Sequence, residues 1–592
     1  MALSTVRVSV LGVLLSATSA VAAELVVGSG DLTAGSAVLL ARSDVPGVVT
    51  FEVSTTPDFS SIVGTGTAVV PAGLTPSKLD VVGLSPAQRY FFRATDAAGL
   101  SASGTFRTPA PLGVRQPLRV ATMTDWQQSP PFPTVRNVAD RRPDLILKLG
   151  DTIYADTETR GLPGVRQART LEQFRAKHRE IISRSGLSAT PDNFMAAAYA
   201  SAAMFNTIDD HEVVDNFAGG AAPGLSPDAP LVHPTEPPLF TDPVPFVNQT
   251  RAYRDAMQAY VEYHPMRPTV WSGTGDARVD GVPRLYRHQT FGSTASITML
   301  DSRSFRDAQV APVGNPTDPA AVSAFLARTF TPGRTLLGRP QLEALKADLL
   351  QNQRDGVVWK LVVIPEPIQN FGVVNAEDRF EGYAAERTEL LSFIHTHNIE
   401  NVVFIAGDFH GTIVNNLAYQ VPTAGGLVSV PVNAFEVVTG PVGFFNGRFG
   451  PAVANLAAAA GLITPAQLAF YNTLPEAGKD AFIRGLVDAQ VTALGYSPIG
   501  LEDSGLNATL LQGSYFAAHG FSWTEFDIDA RDQLTVTTWS IDAFSDAQAL
   551  ADPQRVLSLQ PRVVSQFVVA PIPEPASLAW LAPAVVLLAR RR

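Results

Sequence analysis

Apolar and polar positions alternate along this chain in two textures, and the change falls near residue 110. Between Glu24 and Pro109, stretches such as "VVTFEVSTT" and "RYFFRATDAAGLSASGTFRT" switch apolar and polar residues every other position between turn formers. That period of two predicts short antiparallel strands with one buried face. "TPAPLGVRQP" (108–117) then reads as a Pro-rich linker. Beyond it, continuous apolar runs alternate with longer helical or irregular stretches, which predicts a layered α/β domain over 118–570. Two segments interrupt the pattern. Residues 218–249 hold eight prolines and few periodic apolar positions, so they read as an ordered loop or lid. Residues 441–510 are Ala-rich with helical spacing ("PAVANLAAAAGLITPAQLAFYNTL", "AFIRGLVDAQVTALG") and read as a helical hairpin packed on the core. There is no internal repeat.

The apolar runs share an ending. "LRVATMTD" closes on Asp125, "DLILKLGD" on Asp151, "AAMFNTIDDHE" on Asp209, Asp210 and His211, "ASITMLDSR" on Asp301, and "NVVFIAGDFHG" on Asp408 with His410 two residues on. In open α/β sheets, ligands gather at the carboxyl ends of strands. A single aspartate there is ordinarily a turn former or helix cap. Five such ends would crowd carboxylates together, and a multivalent cation is the usual resolution. His410 stands at i+2 from Asp408, so both side chains can leave the strand toward one site.

Composition narrows the metal chemistry. A chain of 592 residues is too long for one core, so more than one domain is expected. Its net charge of -11 argues against nucleic acid or an anionic membrane surface as the main partner. With no cysteine, thiolate–zinc sites, iron–sulfur clusters and cysteine nucleophiles are excluded. A metal must be held by carboxylate, imidazole, phenolate, amide or water. Tyr154, three residues after Asp151, is either packed beneath the loop or a phenolate ligand, and a phenolate favours Fe3+ over Mg2+. Asn216 and Asn370 are candidate amide ligands or phosphate contacts. His178, His233, His264, His288, His395 and His397 read as structural or surface residues.

The order D-x-Q, G-D-x-x-Y, D-D-H-E, G-D-x-H resembles that of metallophosphoesterases. The fuller set, "GDTIYAD", "TIDDHEVVDNFAG", "AYVEYHPMRP", "MLDSRSFR" and "FEGYAAERTELLSFIHTHNIENVVFIAGDFHG", is similar to the PhoD-like (alkaline phosphatase D) family over about 118–440. "HGFSWTEFDID" would be a final strand. The resemblance implies a four-layer α/β/β/α sandwich that hydrolyses phosphate esters at a binuclear centre. It puts one metal on Asp125, Asp151, Tyr154 and His410, with Asp151 bridging to a second site built with Asp210 and Asp408. Family members with an Fe3+/Ca2+ centre commonly have cysteine at the first motif, where this chain has Asp125. No histidine follows "WKLVVIPEP", so the second site is oxygen-rich and suits Ca2+ better than Zn2+. His211 is the expected acid or orienting residue. Arg303 could reach the substrate phosphate, or form an ion pair with Asp301 or Glu212. The alternatives are a phosphodiesterase or phospholipase D-like activity, or a surface or matrix protein with a decayed enzyme fold. Residues 24–109 resemble a fibronectin III or immunoglobulin-like sandwich, with Tyr90 as its corner tyrosine.

Both ends read as processing signals. Met1–Ala23 carries Arg7, an apolar stretch and small residues before Glu24, the pattern of a Sec-type signal peptide. Residues 571–592, with "PEPASLAWLAPAVVLLARRR", resemble a PEP-CTERM sorting tail recognised by an exosortase-type enzyme. Otherwise the tail is a simple anchor, although its apolar run is shorter than the ~20 residues that span a bilayer. These features predict an exported protein, periplasmic, cell-surface or extracellular, with membrane contact only through the tail.

Overall fold

The computed structural model describes residues 23–573 except 74, 188–191, 316–317, 425 and 503. The segments expected to be a signal peptide and a sorting tail lie almost wholly outside these residues. Two large sheets form the centre of the fold. One has ten strands, in the order 507–513, 562–570, 534–541, 521–528, 118–123, 145–148, 203–206, 25–33, 36–43, 77–82. The other has seven, in the order 287–291, 295–299, 359–363, 402–406, 426–438, 412–423, 516–517.

The alternation along the central strands decides how these sheets stack. Val120, Leu145 and Leu147 of the first sheet share one buried cluster with Leu361, Val363, Val403 and Ile405 of the second. The intervening residues Ala121, Ile146 and Met204, and Val362, Val402 and Phe404, face outward onto helices. Those helices include Leu171–Ile181 and Arg251–Tyr263 on one side, and Arg339–Arg354 and Ala384–Thr396 on the other. Period-two strands buried on both faces thus give the expected α/β/β/α layering.

The N-terminal segment is all-β, and a four-stranded antiparallel sheet (62–70, 47–54, 89–95, 101–107) covers its outer face. Val49, Phe51 and Phe92 of this sheet pack on Val27 and Leu39. The Tyr90 hydroxyl accepts from Ser85 N at 2.8 Å, which is the corner contact expected of such sandwiches. The sequence reading treats 24–109 as a unit by itself. The strand Leu25–Thr33 nevertheless pairs in parallel with Ala203–Asn206 through Ser29↔Ala203 and Gly30↔Met204. The sandwich therefore shares a sheet with the catalytic region, because pairing satisfies the edge strand that 203–206 would otherwise expose.

Both irregular segments are ordered. Gly219 N and Gly220 N donate to Arg303 O and Arg306 O, which fastens the start of the Pro-rich loop. Residues 441–510 form three helices rather than a hairpin: Phe449–Ala459, Pro465–Thr473 and Glu476–Ala493. Their Ala454, Tyr471, Ile483 and Val487 pack against Phe409 and Ile413.

Candidate metal centre

Five strands end within three residues of the acids picked out by the sequence: Leu118–Met123 before Asp125, Leu145–Lys148 before Asp151, Ala203–Asn206 before Asp209, Ala295–Met299 before Asp301 and Val402–Ala406 before Asp408. Two groups of ligand atoms converge there, each with its atoms within 4.8 Å of one another. One is Asp125, Asp151 and His410; the other is Asp151, Asp210 and His211. Asp151 belongs to both, and His211 stands in the second group where Asp408 was expected.

The backbone is left-handed at these positions. Asp125, Asp151, Asp408, His410 and the neighbouring Asn216 have φ of 60°, 51°, 64°, 53° and 62°. Non-glycine residues rarely adopt that region unless the surroundings fix it. Glu212 supplies much of the fixing. Its Oε2 accepts from Asp151 N (3.1 Å) and Asp209 N (2.9 Å), and its Oε1 accepts from Thr152 N (2.7 Å) and Thr152 Oγ1 (2.8 Å). Gly150, at φ 98°, lets the two loops touch, since a Cβ there would lie 2.2 Å from Asp209 N. Gly443 N donates to Asp125 O at 3.0 Å and holds the first loop.

The donor set fits a metal. Asp125 is fully buried; Thr124 Oγ1 donates to its Oδ1 at 3.0 Å, and its Oδ2 has no hydrogen-bond partner among the described residues. Burial and then the Asp408 charge push the Asp125 carboxyl well above its ordinary range. A cation at Oδ2 would reverse that cost. The His410 Nδ1–H donates to Gly447 O at 3.0 Å, which turns Nε2 toward the Tyr154 hydroxyl (3.4 Å) and Asp125 Oδ1 (3.9 Å). Tyr154 is buried and donates its O–H to Asp151 Oδ2 at 2.8 Å. Burial and the Asp151 charge push the phenol well above its ordinary value, so only a strongly Lewis-acidic ion would stabilise the phenolate enough for the hydroxyl to lose its proton and coordinate.

The His211 Nδ1–H donates to both oxygens of Asp156, at 2.8 Å, and its ring stacks on Tyr154 with centroids 4.1 Å apart. Burial pulls its pKa down, yet Asp156, Asp210 and Asp151 together hold it well above the ordinary histidine value. Asp210 accepts from Asn216 N at 2.7 Å. Against burial, Arg303 and His211 hold its carboxyl well below the usual range.

Two family models match the chain: PhoD-like phosphatase over residues 118–491, and the N-terminal domain of PhoD-like phosphatase over 14–110. The chain belongs to the PhoD-like phosphatase family. It is 29% identical over 393 residues to alkaline phosphatase D of Bacillus subtilis (strain 168), an alignment that spans 62% of this chain and only 59% of that protein's length. A solved structure of PhoD superposes with a TM-score of 0.63 at 20% identity, covering 94% of this chain and 92% of that one. The purple acid phosphatase PPD1 from yellow lupin seeds aligns at 10% identity with a TM-score of 0.44, over 87% and 71% of the two chains.

Not every expected residue of this PhoD-like chain joins the cluster. Asp408 lies outside both groups of close ligand atoms, although its carboxyl is raised to about 6 by burial and then by Asp210. Arg303 is the clearer correction. It is fully buried, with Nε on Asp209 Oδ1 (2.5 Å), Nη1 on Asp378 (2.9 Å), and Nη2 near Glu366 (2.6 Å) and Asp210 (3.4 Å). Four carboxylates leave the guanidinium committed to positioning the Asp209–Asp210 loop, and its partners are neither Asp301 nor Glu212. Asp301 instead accepts from Arg303 N and Ser304 N at 3.0 and 2.9 Å, the turn-forming role of a lone aspartate. Glu366 occupies the position after the strand Trp359–Val363 where a histidine is missing, and pairs with Arg303 and Arg306. Asn370 Oδ1 caps Gly372 N, while the Asn216 side chain donates to Asp215.

Three contributors were missed by sequence reasoning: Glu212 as a loop clamp, Asp156 as the His211 partner, and Phe444. The Phe444 ring lies 3.9 Å from that of His410 and 5.3 Å from that of Tyr154, so the inserted segment walls the site. Asp156 had a signal, standing two residues after Tyr154 in "GDTIYAD"; Phe444 had none. Of the remaining histidines, His264 accepts from the buried Lys148 at 3.0 Å, and His395 and His397 lie exposed at a helix end.

Proposed function

We propose that this chain is an exported, metal-dependent phosphatase that hydrolyses phosphate monoesters, and diesters as a second substrate class, at a binuclear centre. One metal would be held by Asp125, Asp151, Tyr154 and His410, and the second by Asp151 and Asp210, with Asp408 beside them. The observation that carries the reading is the convergence of the two ligand groups on Asp151, with Asp125 Oδ2 buried and unpartnered. The phenol and imidazole at the first position suit Fe3+, and the oxygen-rich second position suits Ca2+.

A bound metal pair would supply Lewis-acid stabilisation of the phosphoryl oxygens and activation of water. The chain's own residues supply orientation and a proton. Glu212 and Arg303 hold the loops that carry Asp151 and Asp210. Asp156 holds His211 by Nδ1, so the Nε2–H is the proton available to the leaving oxygen. Phe444 packs its ring against the His410–Tyr154 edge. The signal-like N-terminus and PEP-CTERM-like tail support export, with tail processing by an exosortase-type enzyme. Elemental analysis beside turnover of aryl phosphate mono- and diesters tests the proposal. Full turnover by protein holding neither iron nor a divalent ion would overturn it.

A further inference from the structure

The helical insertion builds a second polar cavity, of about 380 Å³, that the metal centre does not use. Arg448, Lys479, Tyr471 and His519 line it together with Glu476 and Asp542. Both carboxylates are already held by Arg562, at 3.1 and 2.9 Å. The two cations are not: among the described residues neither Arg448 nor Lys479 pairs with a carboxylate. Arg448 donates through Nη1 to His519 O at 3.1 Å and stacks on Phe445, while its Nε is buried with no partner. The Lys479 ammonium lies 5.8 Å from the centroid of the Tyr471 ring and, among the described residues, makes no hydrogen bond.

The wall behind them is a fixed relay. His519 Nδ1–H donates to Asp480 at 2.5 Å, and the Tyr471 hydroxyl donates to His519 Nε2 at 2.6 Å. The helices Phe449–Ala459 and Glu476–Ala493 both start here, and neither has a side-chain cap at its N-terminus. Phe449 N and Gly450 N already donate to His410 O and Ala518 O, and Glu476 stands in the first turn of the second helix, so the two side-chain cations rather than the helix ends carry the positive charge here.

We propose that this cavity is a second oxyanion site, taking either free phosphate or the distal phosphate of a larger substrate. It adjoins the metal centre through the chain, since Gly447 O fixes His410 and Arg448 follows directly. The proposal concerns binding and does not depend on turnover at the metal centre.

Calorimetric titration of the metal-loaded protein with inorganic phosphate tests it. Two sites are expected in the wild type. Asp151→Asn should remove the metal-centre site and keep the cavity site. Lys479→Gln and Arg448→Gln should each weaken the cavity site about tenfold or more, the loss of one charge-assisted hydrogen bond, and keep the other. Lys479 makes no hydrogen bond through its ammonium, so its variant should fold normally. A KM rise in Lys479→Gln for a bisphosphorylated substrate, with none for an aryl monophosphate, identifies the distal phosphate as occupant; equal KM values identify free phosphate. A single site in the wild type, or wild-type titrations in both variants, overturns the proposal.

Discussion

Replacing Glu212 by glutamine separates a loop clamp from a bystander carboxylate. The side chain is buried and accepts four hydrogen bonds, from the N–H groups of Asp151, Asp209 and Thr152 and from the Thr152 hydroxyl. Glutamine keeps one oxygen and turns the other into a donor. If its NH2 sits where Oε2 was, it faces two backbone donors; if it sits where Oε1 was, it faces one, because the Thr152 hydroxyl can turn and accept. The second orientation is cheaper and leaves Thr152 N unpaired. An unsatisfied buried donor costs roughly 1–3 kcal/mol, so Glu212→Gln should lose about that much stability. The same donor lies next to Asp151 N, so metal affinity or turnover should fall about 10- to 100-fold, as for other groups that orient ligands. Urea unfolding midpoints and a metal titration on the same preparation read both effects. Wild-type values in both would refute the clamp.

Asp151→Asn should abolish aryl phosphate turnover while the far-ultraviolet spectrum stays unchanged; normal turnover would reject the bridging role. Asp156→Asn frees His211 from its orienting partner, so turnover should fall about 10²- to 10⁴-fold with metal content unchanged. Because Asp156 is among the charges that raise the His211 pKa, the basic limb of the pH profile should also move to lower pH, and an unmoved limb would count against the dyad. His178 tests the buried interior away from the metals: burial, and then Lys148, lower its pKa from 6.5 to about 3. The unfolded chain takes up this proton below pH 6.5 and the folded chain does not, so this stability is present above 6.5 and lost as pH falls toward 3. The full effect is at most about 5 kcal/mol. His178→Gln should flatten the acid side of the unfolding curve, and an unchanged slope would exclude His178 as its source.

What the sequence made legible follows from what repeats. Apolar runs ending in acids mark strands whose carboxyl ends meet, and Asp125, Asp151, Asp210 and His410 could be read because every one of those ends lies on the same edge. Tyr90 could be read because its corner contact is local, reaching only to Ser85. Roles that depend on distant partners could not. Arg303 reads as a phosphate ligand until Glu366 and Asp378, more than 60 residues away, are folded against it. The N-terminal sandwich reads as separate because nothing in its alternation reveals that Leu25–Thr33 will pair with Ala203–Asn206. Phe444 belongs to a segment whose composition speaks only of helices.

The left-handed residues join these two kinds of residue. Asp125, Asp151, Asp408 and His410 each hold a conformation that costs an L-residue of order 1–2 kcal/mol, and Asp125, Asp151 and His410 sit where the ligand atoms gather. An ion could in principle impose that geometry, but hydrogen bonds within the protein already do. Glu212 grips Asp151 N, Gly443 N grips Asp125 O, and Gly447 O grips the His410 ring. These clamps bond to backbone N–H and C=O groups or to a ring nitrogen, and leave carboxylate oxygens such as Asp125 Oδ2 free. The strain is therefore held by the same network that aims the ligands, so the site is organised before an ion arrives. This is why Glu212, which need touch no metal, stands first among the residues to change.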